Sequence, residues 1–419
     1  MLYEDLIYLW LGFLLFEFFP ETKVLTGIGC LFLFIAKELG FLALLSYLKR
    51  SRLVFVSIFA NLLVFLFFFL DLYVFSLKYY MSKLPLSSLL GFFWFLHYYL
   101  LVRIYLYRLS KGYIRLVGGM ILPIVLIILA QTLIESFGVG SDILEWIILL
   151  VIFGFSPYLM IKVFPFEPLE DPYWKELLTN FLRQNKIKLS GIFLLKDIGK
   201  PLYTAGIIGF LPGARYLFFS LPLLQVLTPE EVMGVLGHEI GHIKRRHTLW
   251  LLLLLLNLPL FLVALLGAMV LVASVLFPAK TELIIKNKDF WSVFSLVYFV
   301  GASFLYIRYV FAYFLRQFER EADVYACCVM GSIQPVISAL YKIGQLTGQL
   351  YKKSWHHYGV AERIEFLTSL KDPKGYLLER GKKLRFAILA WMWINIGILW
   401  MFSSEHLLKK VSQFINYIL

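Results

Sequence analysis

The sequence has few charged residues and very few cysteines for its length. Asp, Glu, Lys and Arg make up 16% of the 419 residues, whereas a soluble domain carries about 25%. This low share, together with 60% hydrophobic residues and long apolar runs, excludes an ordinary soluble protein and predicts a polytopic membrane protein. The three cysteines, Cys30, Cys327 and Cys328, form neither a disulfide framework nor a zinc-finger spacing.

Acidic residues are also scarce. The chain has 40 Lys and Arg against 27 Asp and Glu, which gives a net charge of +13. In a membrane protein, excess Lys and Arg in the loops orient the spans. Because no basic stripe with interleaved aromatic residues lies on a soluble segment, we expect no nucleic-acid partner.

Long apolar runs divide residues 1–164 into predicted membrane spans. A short run at Leu6–Phe19 precedes five longer ones, at Gly27–Leu48, Leu53–Leu77, Leu86–Tyr107, Leu116–Phe137 and Ile143–Phe164. The loops after the second and fourth of these six runs carry the most Lys and Arg, so the positive-inside rule places them in the cytoplasm. The chain after Phe164 then also lies on the cytoplasmic side. We therefore expect a multi-pass protein of the cell membrane.

Two charged residues, Lys37 and Glu38, lie near the middle of a predicted span, where isolated charges are costly. Either neighbouring helices satisfy the pair, or the two side chains line a water-filled cavity inside the bundle. Asp71 lies near a span end, and we expect its side chain to reach the interface.

The strongest chemical signal lies in the stretch Thr228–His247. Thr228 is a suitable N-cap, Pro229 suits the first helical position, and Glu231 can complete a capping box, so the stretch predicts a helix start. His238 and His242 are four residues apart and share one helix face. Two such imidazoles can hold one Zn²⁺, and Glu239 can take a proton from water at that metal.

A small sheet is predicted in front of this helix, within a first catalytic segment at residues 165–247. Asp171 is expected to cap a helix that begins at Pro172. Short β-rich runs then follow at Ile192–Lys196, Leu202–Phe210 and Tyr216–Ser220. An edge strand of this sheet could hold an extended peptide across the metal through main-chain hydrogen bonds.

Residues 248–315 read as a membrane hairpin inserted into the catalytic domain, with apolar runs at Leu249–Phe277 and Phe290–Leu315. Immediately after it, Glu319 and Asp323 share a helix face. Glu319 is a candidate third zinc ligand, which leaves the fourth position for water. Asp323 is a candidate hydrogen-bond partner of a ligand histidine.

Two neighbouring residues receive no role at the metal. Glu321 points away from the face of Glu319 and is expected to meet solvent or an arginine. His247, five residues after His242, is off the ligand face.

The second catalytic segment, residues 316–383, contains a further helix at Pro335–Lys352 and the stretch Ser354–Leu367. A metallopeptidase needs a donor for the oxyanion of its tetrahedral intermediate, and either His356 or His357 could supply it. Arg363 could pair with a carboxylate of the site. A last apolar run at Phe386–Phe402, within residues 384–419, is a possible additional span of marginal length.

These motifs resemble the type I CAAX prenyl proteases and the related HtpX-type membrane peptidases, which are zinc metalloendopeptidases of the gluzincin kind. The resemblance covers about Phe164 to Leu370. It is carried by F-E-P-L at Phe166–Leu169, H-E-x-x-H at His238–His242 with a hydrophobic hairpin after it, E-x-x-A-D at Glu319–Asp323, and a counterpart of H-P-x-x-x-x-R-I that runs from His357 to Ile364. The resemblance implies that His357 assists the oxyanion and that Arg363 steadies the site. Two departures concern the substrate: the family's N-A-(F/Y)-x-x-G reads P-L-Y-T-A-G at Pro201–Gly206, and His357 is followed by Tyr358 instead of proline.

The combined prediction is an α-helical polytopic membrane protein of about seven to nine spans, with an α+β zincin-like metallopeptidase domain interrupted by a transmembrane hairpin. It would hold one Zn²⁺ per chain through His238, His242 and Glu319, use Glu239 as the base, and cleave peptides or membrane-associated proteins.

Two alternatives stay open. A site-2-type intramembrane metalloprotease needs a distant Asp-Gly motif, but no Asp-Gly follows the faint start at Asn257-Leu258-Pro259. The chain could instead be a transporter or channel with a vestigial peptidase domain, in which Lys37 and Glu38 would be pathway residues.

Overall fold

The computed structural model describes residues 2–21, 24, 28–50, 56–107, 110–136, 142–196, 201–277, 288–352 and 358–402. Helices dominate these residues. Seven helices precede the sheet: α1 (Leu2–Glu17), α2 (Ile28–Arg50), α3 (Val56–Tyr73), α4 (Leu77–Met81), α5 (Ser87–Tyr107), α6 (Lys111–Ser136) and α7 (Asp142–Val163). Four come between the strands or after them along the chain: α8 (Pro172–Gln184), α9 (Leu221–Val226), α10 (Pro229–Lys244) and α11 (His247–Leu276). The rest are α12 (Lys288–Leu305), a π-helical turn (Tyr306–Phe311), α13 (Ala312–Met330), α14 (Gln334–Leu346), α15 (Val360–Ser369) and α16 (Pro373–Phe402).

Six helical stretches among the described residues are long and apolar enough to cross a membrane. They are Cys30–Arg50, Ser87–Leu106, Lys111–Ile134, His247–Ala273, Val297–Met330 and Pro373–Trp400. Three shorter apolar stretches, Tyr8–Glu17, Ile58–Tyr73 and Leu150–Val163, accompany them. The protein is therefore a mainly helical, multi-pass membrane protein, while the count of seven to nine spans stays a prediction.

Helices α2, α3 and α5 enclose the charged residues of the N-terminal bundle. Lys37 forms ion pairs with Glu38, at 2.7 Å, and with Asp71. The indole Nε1 of Trp94 donates to Asp71 at 2.9 Å, and the Tyr98 hydroxyl lies 2.7 Å from the same carboxylate. The expectation that Asp71 reaches the interface is wrong, since its side chain is completely buried, where it offsets the Lys37 charge. Lys37 and Glu38 thus have partners on neighbouring helices.

A four-stranded sheet follows α7. Its strands are β1 (Phe166–Pro168), β2 (Gly191–Leu195), β3 (Ala205–Ile208) and β4 (Tyr216–Ser220). The spatial order is β1-β2-β4-β3, with β2 and β4 parallel and the two outer strands antiparallel to their neighbours. Strand β3 is an edge strand and is shorter than the predicted run Leu202–Phe210, because Thr204 and Gly209 lie outside the ladder with β4.

The helix α10 begins as the sequence indicates. Thr228 caps it with a full capping box: its hydroxyl accepts from Glu231 N–H, and the Glu231 carboxylate accepts from Thr228 N–H at 2.8 Å. The Glu231 carboxylate is also paired with Lys342 of α14 at 2.8 Å, so the cap ties α10 to the second catalytic segment.

Three glycines allow α10 to approach its neighbours closely. A Cβ at Gly237 would lie 3.3 Å from Ala326 Cα, and one at Gly241 would lie 3.0 Å from Ala322 Cα, both on α13. A Cβ at Gly234 would lie 3.1 Å from the backbone of Pro335 at the start of α14. Any side chain at these positions would push the helix backbones apart. The glycine stripe of α10, formed by Gly234, Gly237 and Gly241, therefore sets the distance between α10 and its neighbours α13 and α14.

The C-terminal helix α16 packs along α11 and α13. Its buried residues Leu384 and Ile388 contact Leu254 and Phe318. Deeper in the bundle, the buried Asn395 donates its amide to Asn257 Oδ1 at 2.9 Å. The predicted last run, Phe386–Phe402, is therefore the second half of a longer helix whose first half lies against the catalytic segment.

Candidate metal centre

Helices α10 and α13 bring His238, His242 and Glu319 to one point. The two Nε2 atoms are 3.1 Å apart, Glu319 Oε2 lies 3.7 Å from His238 Nε2, and Glu319 Oε1 lies 3.6 Å from His242 Nε2. Ligands at about 2.0–2.1 Å from a tetrahedral ion lie about 3.3–3.4 Å from one another. These three side chains, which are the only possible metal-binding group among the described residues, thus have the spacing and donor types of a zinc site.

The surroundings of the two histidines shift their pKa values in opposite directions. Burial and the neighbouring His238 hold the pKa of His242 well below its usual value, so its imidazole is neutral and can offer a lone pair. Burial lowers the pKa of His238 as well, but the hydrogen bond to Asp323 and the negative charges of Asp323 and Glu319 together outweigh burial, and its pKa is raised.

Asp323 and Arg363 lie behind His238. Asp323 Oδ1 is 2.8 Å from His238 Nδ1, which leaves Nε2 directed at the shared point. Arg363 on α15 donates to the same carboxylate from Nε at 2.8 Å and from Nη2 at 2.6 Å, and its Nη1 lies 3.8 Å from Glu319 Oε2. The carboxylate is buried and accepts from both groups, so it fixes the ring orientation of His238.

His242 is held by residues to which the sequence analysis gave no role. His247 Nδ1 lies 3.0 Å from His242 Nδ1, and His247 Nε2 lies 3.0 Å from Glu321 Oε2. Arg245 Nε donates to Glu321 Oε1 at 2.6 Å. The expectation that Glu321 meets an arginine is correct, but solvent is excluded because its side chain is 1% exposed.

Helical spacing could not reveal the position of His247. Arg246, between α10 and α11, has a φ of 57°, in the left-handed region. The chain therefore turns between His242 and His247, and the side chain returns toward the metal site. A non-glycine residue in this conformation leaves no signal in the sequence.

Glu239 lies beside the ligands on α10 and faces a small cavity. Burial raises the pKa of its carboxyl to about 7, against the opposing influence of His238 and a hydrogen bond from the backbone of Ile207 in β3. A carboxyl with this pKa can exchange a proton near neutral pH.

The cavity beside Glu239 has a volume of about 210 Å³. His238, Glu239 and the residues before β3, including Tyr203 and Thr204, form one wall. The remaining walls are mainly apolar and come from α10, α14 and α15, with Val235, Val336, Leu340, Ile343 and Val360 among their residues. The cavity can therefore receive an apolar side chain next to the metal ligands.

The predicted oxyanion donors, His356 and His357, lie outside the described residues. The next residue, Tyr358, is described: its hydroxyl accepts a hydrogen bond from Gln317 Nε2 at 2.6 Å, and its ring faces the Arg320 guanidinium at 3.5 Å. Gln317 and Arg320 both belong to α13, which also carries Glu319.

This arrangement is that of the H-E-x-x-H class of metallopeptidase sites. It consists of two histidines one helical turn apart, an acid beside the first of them, and a carboxylate from a second helix. Residues 168–371 match the model of Peptidase family M48. The part of the chain that carries these residues thus has the sequence of an M48 peptidase domain, and the resemblance predicted from its motifs is confirmed.

Two relatives show the extent of the similarity. A protein named Protease HtpX homolog from Verminephrobacter eiseniae is 32% identical over 171 residues, which cover 39% of this chain and 56% of that protein. A Protease HtpX homolog from Thermoplasma acidophilum is 26% identical over 218 residues, covering 50% of this chain and 61% of that protein. The chain thus spans less than two thirds of the length of these relatives.

One solved structure is also similar. The crystal structure of S. mikatae Ste24p aligns over 85% of this chain and 98% of that chain, with 16% identity and a TM-score of 0.48.

Proposed function

We propose that this protein is a membrane-integral, zinc-dependent metalloendopeptidase. His238, His242 and Glu319 would hold one Zn²⁺, and the catalytic segments would lie on the cytoplasmic side of the membrane. The observation that carries the proposal is the convergence of two imidazole Nε2 atoms and one carboxylate within 3.1–3.7 Å, with the acid Glu239 beside them.

Each residue of the site would have a distinct task. When bound, Zn²⁺ would polarise the scissile carbonyl and make water acidic enough to attack near neutral pH. Glu239 would take the proton of that water and then pass it to the departing amine. Asp323 would keep His238 in one tautomer, and Arg363 would keep Asp323 ionised. His357 would donate to the oxyanion, as the family resemblance implies.

The substrate would be an extended segment of a peptide or of a membrane-associated protein. Strand β3 lies at the sheet edge, and the backbone of Ile207 contacts Glu239. A substrate strand added to this edge would therefore pass directly in front of the catalytic carboxylate. The apolar cavity beside it would take one side chain of that segment.

The experiment compares the full-length wild type with Glu239→Gln and His242→Ala in detergent micelles. We expect zinc in the wild type and in Glu239→Gln at about one per chain, loss of peptidase activity in both variants, and loss of zinc only in His242→Ala. Arg308→Gln, on the π-helical turn away from the ligands, serves as the control and should keep both zinc and activity. Unchanged hydrolysis by Glu239→Gln would refute the proposal.

A further inference from the structure

We infer that the C-terminal membrane helix α16 is a positioning element of the metal site, acting on His242 through Arg245, Glu321 and His247. The inference rests on the proposed function, because it concerns how well the protein's own residues hold the metal ligand.

The hydrogen bonds behind His242 have only one consistent direction. His242 Nε2 faces the shared point with its lone pair, so its Nδ1 carries the proton and donates to His247 Nδ1 at 3.0 Å. His247 then carries its proton on Nε2 and donates to Glu321 Oε2 at 3.0 Å. The Glu321 carboxylate therefore fixes the tautomers of both rings, in the same way as a carboxylate that contacts a ligand histidine directly.

Arg245 connects this chain of hydrogen bonds to α16. Its guanidinium pairs with Glu321 through Nε and Nη2, and Nη2 also donates to the carbonyl of Leu377 in α16 at 2.8 Å. Glu321 and His247 are each 1% exposed, so water cannot replace a lost partner. The orientation of Glu321 thus depends on a guanidinium that the backbone of α16 holds in place.

Helix α16 lies close to the ion pair of Arg245 and Glu321 at Gly381. A Cβ built there would overlap the Arg245 guanidinium and the Glu321 carboxylate, and would lie 2.6 Å from Arg385 Nη2. The overlap falls on the flexible end of Arg245. A methyl group would therefore displace the guanidinium from Glu321 and leave the helix backbone in place. By contrast, a Cβ at Gly397, on the same helix, meets nothing within 4 Å.

A second polar contact of α16 is with α13, the helix that carries Glu319. Arg380 Nη2 donates to Gln317 Oε1 at 2.7 Å, and Gln317 in turn donates to the Tyr358 hydroxyl at 2.6 Å. Helix α16 thus makes polar contacts with Arg245 at the end of α10 and with Gln317 on α13, the two helices that carry the ligands. An element that only anchored the chain would need no more than the apolar contacts of Leu384 and Ile388.

The test uses the full-length protein with Gly381→Ala, Glu321→Gln and the control Gly397→Ala. Zinc affinity is measured by competition with a chromogenic chelator, and the coordination geometry by the visible spectrum of the Co²⁺-loaded protein. Loss of an outer partner of a ligand histidine lowers metal affinity by about 10–100-fold. We expect losses in this range and an altered Co²⁺ spectrum for Gly381→Ala and Glu321→Gln, with no change for Gly397→Ala.

The outcomes separate the two proposals. A wild type that binds no zinc refutes the proposed function itself. A wild type that binds zinc, with Gly381→Ala equal to Gly397→Ala in affinity and spectrum, overturns the inference about α16 alone. If Gly381→Ala does not fold, Glu321→Gln decides, because it conserves the side-chain volume; unchanged zinc affinity in that variant overturns the inference.

Discussion

Replacing Asp323 by asparagine would test the support of His238. The side chain is 1% exposed, and its two oxygens accept from His238 and twice from Arg363 at 2.6–2.8 Å. Asparagine keeps one acceptor oxygen and turns an NH₂ group toward one of these donors. Arg363, whose side chain is 13% exposed, is then left with more distant carboxylates, of which Glu319 lies at 3.8 Å.

The expected magnitude follows from this burial. Removing one partner of a buried ion pair costs about 3–5 kcal/mol of folding free energy, and loss of the outer partner of a ligand histidine lowers metal affinity by about 10–100-fold. Asp323→Asn should therefore lower both the denaturation midpoint and the affinity for zinc. Chelator competition and thermal unfolding of the detergent-solubilised protein measure the two effects separately.

A double-mutant cycle makes the reasoning refutable. Asp323→Asn combined with Arg363→Met should be less destabilised than the sum of the single variants, because no buried charge is left unpaired. Glu379→Gln, which breaks the exposed pair with Lys383, is the control and should leave the midpoint unchanged. If the stability losses of the two buried substitutions simply add, Asp323 and Arg363 do not act as a buried ion pair. If Asp323→Asn leaves the zinc affinity unchanged, this pair does not position His238.

Three other predictions follow from the site and its helices. Because the pKa of Glu239 is raised to about 7, the metal-free folded protein binds a proton that the unfolded chain has lost. Its stability should therefore fall as the pH rises from about 4.5 to 7, and Glu239→Gln should flatten that dependence in pH-resolved melting curves. A bound cation favours the charged carboxylate, so the acid limb of peptidase activity should lie below pH 7 in the zinc-loaded enzyme, and a limb above pH 7 would contradict this. Gly241→Ala should lower the free energy of unfolding by about 1–3 kcal/mol, because the added methyl group would push α10 away from Ala322 on α13. The control Gly301→Ala, where an added Cβ meets nothing within 4 Å, should not change the melting midpoint.

The local features of the site could be predicted from sequence because each depends on short spacing. The capping box at Thr228 and Glu231 and the shared face of His238 and His242 follow from helical periodicity alone. That a second segment beyond a membrane hairpin would supply Glu319 was inferred from a motif, and the glycine stripe of α10 explains how the two helices come close enough.

The contacts that sequence spacing could not predict depend on backbone turns or on packing between distant elements. The left-handed residue Arg246 redirects His247 toward His242, so counting residues along one helix gave the wrong relation. Likewise, helical spacing leaves open whether Glu321 meets solvent or an arginine. Its side chain is 1% exposed because His247, Arg245 and Gly381 of α16, which comes more than fifty residues later in the chain, all lie against it. Asp71 was misplaced for the same reason, since its partner Lys37 belongs to another helix.

Because the candidate ligands are far apart in the sequence, the metal site can form only some time after its first histidine has been synthesised. His238 and its partner Asp323 are 85 residues apart, and a ribosome adding about 5–20 residues per second needs about 4–17 s to make that stretch. During this time the histidine pair exists without Glu319, and the predicted hairpin between them has yet to enter the bilayer. A chain that stalls before the hairpin is inserted cannot assemble all three ligands. The proposed peptidase would therefore become active only after its own insertion into the membrane is complete.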